Sequence, residues 1–278
     1  MVDFIPVMIM QNVWLLAALA GAGAFAGLLA GLFGVGGGIV IVPVLFALLE
    51  SFGYSLELSM HVAAGTSLAA ILPTGLSSAR AHWHRGAVDM SVIRILAPAM
   101  ALGALLGALL AKGLGGGFLI GLFAVFAILV SLVMLHGEKG FALVKSLPAG
   151  AGRYVLGGAI GLLSALLGIG GGTMTVPTLA ACGYKMTVAV GTGSALGLFI
   201  ALPGAVGFLM TGWGAAGLPP FSVGYVNLVA MMVLAPLSVF FAPLGAKLSH
   251  RLPELWLRRS FAVFLLLVAL RMGLKAFG

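Results

Sequence analysis

A chain of 278 residues in which 62% are hydrophobic and 7% charged cannot cover a water-facing surface, so an ordinary soluble domain is excluded. Its formal charge of +8 arises from 14 Lys and Arg against 6 Asp and Glu, and the cations fall in short clusters between apolar runs. That pattern reads as membrane topology signals rather than a nucleic-acid surface.

Glycine, at 43 residues, has no collagen-like period and lies among Leu, Ala, Val and Ile, as in polytopic helical membrane proteins. At about 20 residues per crossing, the length allows roughly eight to ten spans and leaves little for an aqueous domain. The lone cysteine, Cys182, excludes an intramolecular disulfide or a Cys-cluster metal site in a monomer and reads as small apolar filler.

In chain order, the run near 13–33 reads as a retained first helix, because MVDFIPVMIMQN carries no Lys or Arg and the apolar stretch continues past the weak cleavage-like Ala18-Leu19-Ala20. The run at 39–49 is too short to span; it follows a glycine cluster and contains Pro43, which predicts half of a broken helix or a re-entrant arm. Segments near 61–79, 92–111 and 117–136 follow. Past a stretch at 137–153 come 154–167, then a second short arm at 173–182 containing Pro177, then 187–210, 223–245 and 259–277. Pairs such as Gly27/Gly31 and Gly157/Gly161, and the set Gly113/Gly117/Gly121, read as small-residue packing faces.

Gly34-Val35-Gly36-Gly37-Gly38 followed by Pro43 recurs at identical spacing as Gly168-Ile169-Gly170-Gly171-Gly172 followed by Pro177. Gly65-Thr66-Ser67 returns as Gly191-Thr192-Gly193-Ser194, Leu72-Pro73 as Leu202-Pro203, and Ala111-Lys112 as Ala246-Lys247. The chain therefore reads as a duplication: a first transmembrane repeat over 1–136, a cytoplasmic linker over 137–153 and a second transmembrane repeat over 154–278. Arg80 and Arg85 follow the third segment of the first half, whereas the equivalent TGWGAAGLPPFS has no cation; Lys247, Arg251, Arg258 and Arg259 follow the fourth segment of the second half instead. Equivalent loops that exchange their positive bias imply inverted repeats with an odd number of crossings each, five plus five, and both termini on the non-cytoplasmic side.

A helix broken inside a bilayer leaves backbone N–H groups that lipid cannot satisfy, and the restarting helix offers a positive dipole end. The twin glycine stretches are therefore the leading candidates for an anion site near the midplane, with close glycine packing as the competing reading. Thr66, Ser67, Thr192 and Ser194 add hydroxyls suited to an oxyanion, unless they bond back to their own helix carbonyls. His61, Thr173, Thr175 and Ser164 rank below them. The run Arg80-Ala81-His82-Trp83-His84-Arg85 fits an interfacial belt better than a metal site. All six acidic residues lie at or beyond segment ends, with Glu50 and Glu57 read as solvated loop charges, so the site should be neutral or electropositive.

At GLFGVGGGIVIVPVL and ALLGIGGGTMTVPTL, with GTS and GTGS after them, the chain resembles the TauE/SafE sulfite exporter family, also called the toluene sulfonate uptake permease family. The resemblance covers essentially the whole chain. It implies a multi-pass inner-membrane transporter of sulfur-containing anions such as sulfite, sulfoacetate or other organosulfonates. It carries the family motif onto Gly34, Gly36, Gly37, Gly38, Pro43, Gly168, Gly170, Gly171, Gly172 and Pro177. The resulting expectation is an all-α polytopic membrane protein of two inverted repeats, each with a Gly-broken short helix, that moves an anion by alternating access. Its partners would be that small anion and the lipid bilayer, with no nucleic acid, metal or cofactor. The rival readings are a passive anion channel and, from another class, a membrane-embedded enzyme, for which no catalytic constellation is visible.

Overall fold

The computed structural model describes residues 4–33, 36–136, 146–248 and 254–277. Ten helices are described: α1 (Phe4–Phe33), α2 (Gly38–Ser51), α3 (Leu56–Trp83), α4 (Met90–Ala111), α5 (Gly116–His136), α6 (Gly152–Leu166), α7 (Gly172–Ala181), α8 (Met186–Thr211), α9 (Leu228–Leu248) and α10 (Glu254–Phe277). A two-residue hairpin, β1 (Ser222–Val223) with β2 (Val226–Asn227), precedes α9. Six helices are long and apolar enough to cross a bilayer, which makes the chain an all-α polytopic membrane protein. With 14 and 10 residues, α2 and α7 rise only about 21 and 15 Å, as expected of arms that do not span a ~30 Å core.

Two boundaries move for identifiable local reasons. Helix α3 begins at Leu56 rather than near 61, because the Ser55 hydroxyl accepts from Leu58 N at 3.2 Å and caps the first turn. Helix α9 begins at Leu228 rather than near 223: the hairpin turns on Gly224 at φ 54°, and the Asn227 side chain then caps the helix by accepting from Ala230 N at 2.9 Å. Glu50 and Glu57 lie on helices, not in a loop as read from the sequence. Glu50 sits in the last turn of α2, paired with Lys275 of α10, and Glu57 in the first turn of α3.

Small residues set the helix pairing. Gly103 faces the backbone of Gly158, Gly107 that of Leu162 and Gly161 that of Met100, so α4 and α6 run parallel at a separation that a Cβ would not allow. Gly23 against Leu234, Gly27 against Ser238 and Gly245 against Leu28 make α1 and α9 a second parallel pair, tied by Ser238 Oγ donating to Gly23 O at 2.8 Å. Helices α3 and α8 cross antiparallel, Gly65 meeting Phe208, Leu68 meeting Gly204 and Gly75 meeting Leu198. Helices α5 and α10 are also antiparallel, with Ser131 Oγ donating to Ala262 O at 2.8 Å and Gly273 over Ala124. Gly113 and Gly117, expected to pack, face open space apart from Leu110 O at 3.7 Å from a Cβ on Gly113; it is Gly116, at the start of α5, that packs, against the Glu57 backbone.

Two groups of helices result. Helices α1, α2 and α3 gather α9, and α6, α7 and α8 gather α4, so the fourth helix of each half packs with the other half. The links crossing between the groups are residues 84–89, at the end bearing Arg85, Arg153 and Lys185, and residues 212–227, at the end bearing Tyr225, Lys112 and Lys275. We call these ends the Arg85 face and the Tyr225 face.

Candidate functional site

The two glycine breaks meet. A Cβ on Gly36 would lie 3.5 Å from Gly170 Cα, and one on Gly38 would lie 2.8 Å from Gly168 O and 3.0 Å from Ile169 Cα. Gly36 and Gly37, at φ 75° and 77°, and Gly168, at 66°, are left-handed, so these turns demand glycine. After each break the helix restarts from a glycine carbonyl: Val40 N and Ile41 N donate to Gly37 O at 3.0 and 3.2 Å, and Thr175 N donates to Gly171 O at 2.8 Å. Gly34 lies outside the described residues.

Beside this junction lies a small cavity of about 10 Å³, lined by Gly36, Ile71, Gly75, Ser78, Gly171, Gly172, Gly193, Ser194 and Gly197. That volume is near the minimum for one water, so a sulfur oxyanion enters only if the walls move. Its lining is backbone, two serines and one isoleucine, without a charged side chain. Ser78 Oγ donates to Ser194 Oγ at 3.3 Å, and Ser194 Oγ donates to Val190 O at 2.9 Å. A Cβ on Gly197 would sit 3.6 Å from Gly171 N and 4.0 Å from Gly172 N, so the first amides of α7 lie against the glycine face of α8 beside the cavity.

Of the sequence candidates, Gly36, Gly171, Gly172 and Ser194 line the cavity. Gly37, Gly38, Gly168 and Gly170 build its surroundings without lining it. Thr173 is buried in the first turn of α7, Pro43 is buried in α2 and Pro177 is exposed on α7. Ser67 Oγ donates to Gly168 O at 2.7 Å and fastens α3 to the second break.

The two threonines serve a common structural role. Thr66 Oγ1 accepts from Asn227 N at 2.8 Å, beside the close approach of Gly65 to Tyr225 O. Thr192 Oγ1 accepts from Asp89 N at 2.9 Å, beside that of Gly191 to Ala87 O. Each Gly-Thr pair therefore seats the residue that caps the incoming exchanged helix. Asp89 accepts from Ser91 N at 2.9 Å and Val92 N at 3.3 Å, and the hydrogen bond from the Ser91 hydroxyl is the main cause holding its carboxyl below the usual range.

Sequence reasoning missed Gly75, Ser78, Gly193 and Gly197. The available signal was small-residue spacing, Gly75 to Ser78 on α3 and Gly193 to Gly197 on α8, which marks close helix contact. It also undervalued Ser164 and Thr175, whose hydroxyls are fully buried at the second break with no hydrogen-bond partner among the described residues.

At the Tyr225 face a wider pocket of about 490 Å³ is lined by residues including Tyr54, Ser55, Glu57 and Tyr225. Between its nearest α3 residue, Leu58, and Ile71 at the small cavity, α3 rises about 20 Å through buried Met60, Ala64 and Leu68. The two spaces are separate.

Several apolar helices long enough to span, and broken arms that meet inside the molecule beside a small cavity, mark a multi-pass membrane protein. The chain belongs to the sulfite exporter TauE/SafE family, whose model matches residues 19–272. It is similar to a probable membrane transporter protein of Haemophilus influenzae, at 38% identity over 91% of this chain and 96% of that one. A probable membrane transporter protein of Bacillus subtilis is 27% identical, over 88% of this chain and 93% of the other. No solved structure matches the chain.

Proposed function

We propose that the protein is a secondary transporter of sulfur-containing anions, sulfite or an organosulfonate, and has no enzymatic activity. The observation that carries the reading is the junction of Gly36 with Gly170 and of Gly38 with Gly168, beside a cavity of backbone and serine groups. Such a lining suits an oxyanion: the Gly171 and Gly172 amides lie beside it, no carboxylate repels the charge, and the Ser78 hydroxyl can turn from Ser194 to donate to an anion. The anion is held by Gly36, Gly171, Gly172, Ser78 and Ser194, and the remaining motif glycines keep the two helix starts facing it.

The mechanism is alternating access by rocking the α1-α2-α3-α9 group against the α4-α6-α7-α8 group. Two inverted repeats, 1–136 and 154–278, account for the helix directions. A two-fold axis in the membrane plane turns the parallel pair α4 and α6 into the parallel pair α9 and α1, and makes α3 cross α8, and α5 cross α10, antiparallel. Arg80, Arg85, Arg153, Lys185 and Lys247 fall at one face, which we take as cytoplasmic in the inner membrane, with both termini opposite. A passive channel fits less well, because the path along α3 is closed by buried side chains.

Purified protein in proteoliposomes tests this reading. Saturable sulfite or sulfonate flux, with sulfate and acetate failing to compete, supports it. Non-saturating conductance would favour a channel, and the absence of flux for every sulfur anion would remove the substrate assignment.

A further inference from the structure

His61 sits one turn into α3 and is 1% exposed. Its Nδ1 lies 2.7 Å from Glu57 O, and its Nε2 lies 2.8 Å from Ala111 O at the end of α4. Both partners are backbone carbonyls, and a carbonyl can only accept. Neutral imidazole has one N–H, so in either tautomer the other ring nitrogen would point a lone pair at a carbonyl oxygen. Only the imidazolium donates to both. The two helix ends there act in opposite senses, the carbonyl end of α4 at Ala111 favouring a cation and the N-terminal end of α3 opposing it, so the two carbonyl contacts decide.

The contact also spans the boundary between the two helix groups. Glu57 is on the same helix as His61, whereas Ala111 ends the exchanged helix α4, which packs with α6 and α8. At the opposite end of the molecule the sequence places Thr187 where the first half has His61, counting by the Gly65 and Gly191 match. The device is therefore confined to the Tyr225 face.

We propose that His61 is the proton-binding site of the transporter, a latch that ties α3 to the end of α4 when protonated and frees the Tyr225 face when neutral. The latch follows from the geometry alone, whereas its role in coupling rests on the transport reading above. Loss of the proton leaves at most one of the two hydrogen bonds and turns the other contact repulsive. The Tyr225 ring, with its centroid 5.0 Å away, and Phe208 of α8, at 6.4 Å, cover the imidazole, and the pocket lined by Glu57 and Tyr225 offers the proton a route.

The titratable groups near the ring are few. Glu57 lies on its own helix and Lys112 next to Ala111. Burial, and then the charge of Glu57, push the Tyr225 phenol up, so it stays neutral. Tyr54 stands on the pocket wall. Helix α5 brings Gly116 against Glu57 and adds no charge.

The test uses the full chain in nanodiscs, with Cys182→Ala and spin labels at Leu58→Cys on α3 and Gly113→Cys beyond α4. A short label separation at about pH 5.5 that lengthens at about pH 9, and a separation independent of pH in His61→Gln, is the expected result. An unchanged separation in the protein with His61 intact overturns the latch, whatever the folding of the variant. A lengthening that persists in folded His61→Gln overturns it equally.

The coupling role is read separately in proteoliposomes. A pH gradient should accelerate sulfite flux with His61 and not with His61→Gln, while sulfite still raises the variant's melting temperature. Acceleration that survives in the variant removes His61 from coupling. If sulfite neither binds nor moves in the unmodified protein, the substrate reading fails and the label distances alone decide the latch.

Discussion

The two glycine breaks share their spacing but differ in backbone and polarity. The first bends through two left-handed residues, Gly36 and Gly37, and feeds an arm whose first turns are apolar. The second bends at Gly168 alone; Gly171 is right-handed at φ −55°, and the arm carries Thr173, Thr175 and Thr178. Where the second half has the unpartnered hydroxyls of Ser164 and Thr175, the motif alignment places Ala30 and Ile41 in the first. Among the described residues of the first glycine cluster, Gly36 alone reaches the small cavity, against Gly171 and Gly172 from the second and Gly193, Ser194 and Gly197 from α8. The two breaks thus match in sequence spacing, and the polar chemistry is concentrated in the second.

The largest expected effects separate shape from chemistry at that second break. Gly168→Leu should cost about 3 kcal/mol or more and prevent stable insertion, since the position is left-handed and its Cβ would strike the Ala64 backbone. Gly171→Leu should be milder, since its Cβ meets the movable Ile200 Cδ1 at 2.8 Å and the Gly197 backbone no closer than 3.1 Å, so the folded fraction should be recoverable and should have lost anion binding because the side chain fills the cavity. Size-exclusion profiles and ligand-induced melting shifts of both variants check this. Full binding by a folded Gly171→Leu would place the site elsewhere.

Next in size are the threonine seats, where the halves should behave alike. Thr66→Val and Thr192→Val each remove the acceptor for a loop N–H, at about 1–3 kcal/mol, without touching the cavity. Melting temperatures should fall by similar amounts with anion affinity kept. A loss of affinity in only one variant would show that its hydroxyl also serves the ligand.

The smallest effect distinguishes the two caps. Asp89 titrates and Asn227 does not. Because the folded Asp89 carboxyl lies below its unfolded value near 3.9, its stabilisation is complete above that value and is lost as pH falls through the lower folded one. Asp89→Asn should therefore flatten part of the acid limb of a melting curve against pH and leave the neutral region nearly unchanged.

The legibility of the sequence divides along the same line. Glycine motifs could be read because left-handed turns and close backbone contacts admit little else, and apolar runs placed every helix because lipid enforces their length. The hairpin before α9 was absorbed into an apolar run, since Val223, Tyr225 and Val226 carry no signal of a turn beyond Gly224. The hydroxyls resisted reading for a different reason. The Thr66 hydroxyl can donate to an anion or accept from a loop amide, and only the exchanged position of α9 decides between them. Ser78 and Gly197 become site residues solely through the α3 and α8 crossing, a contact with no local signature.

The central claim, an anion held between the two breaks, is tested most directly by thermal unfolding of purified protein across sulfite, thiosulfate, organosulfonates, sulfate and carboxylates, with Gly171→Leu in parallel. Sulfite or a sulfonate should raise the melting temperature with concentration in the native protein and leave the folded variant unmoved. A sulfur-anion shift of equal size in Gly171→Leu, or no shift with any sulfur anion, would contradict the account.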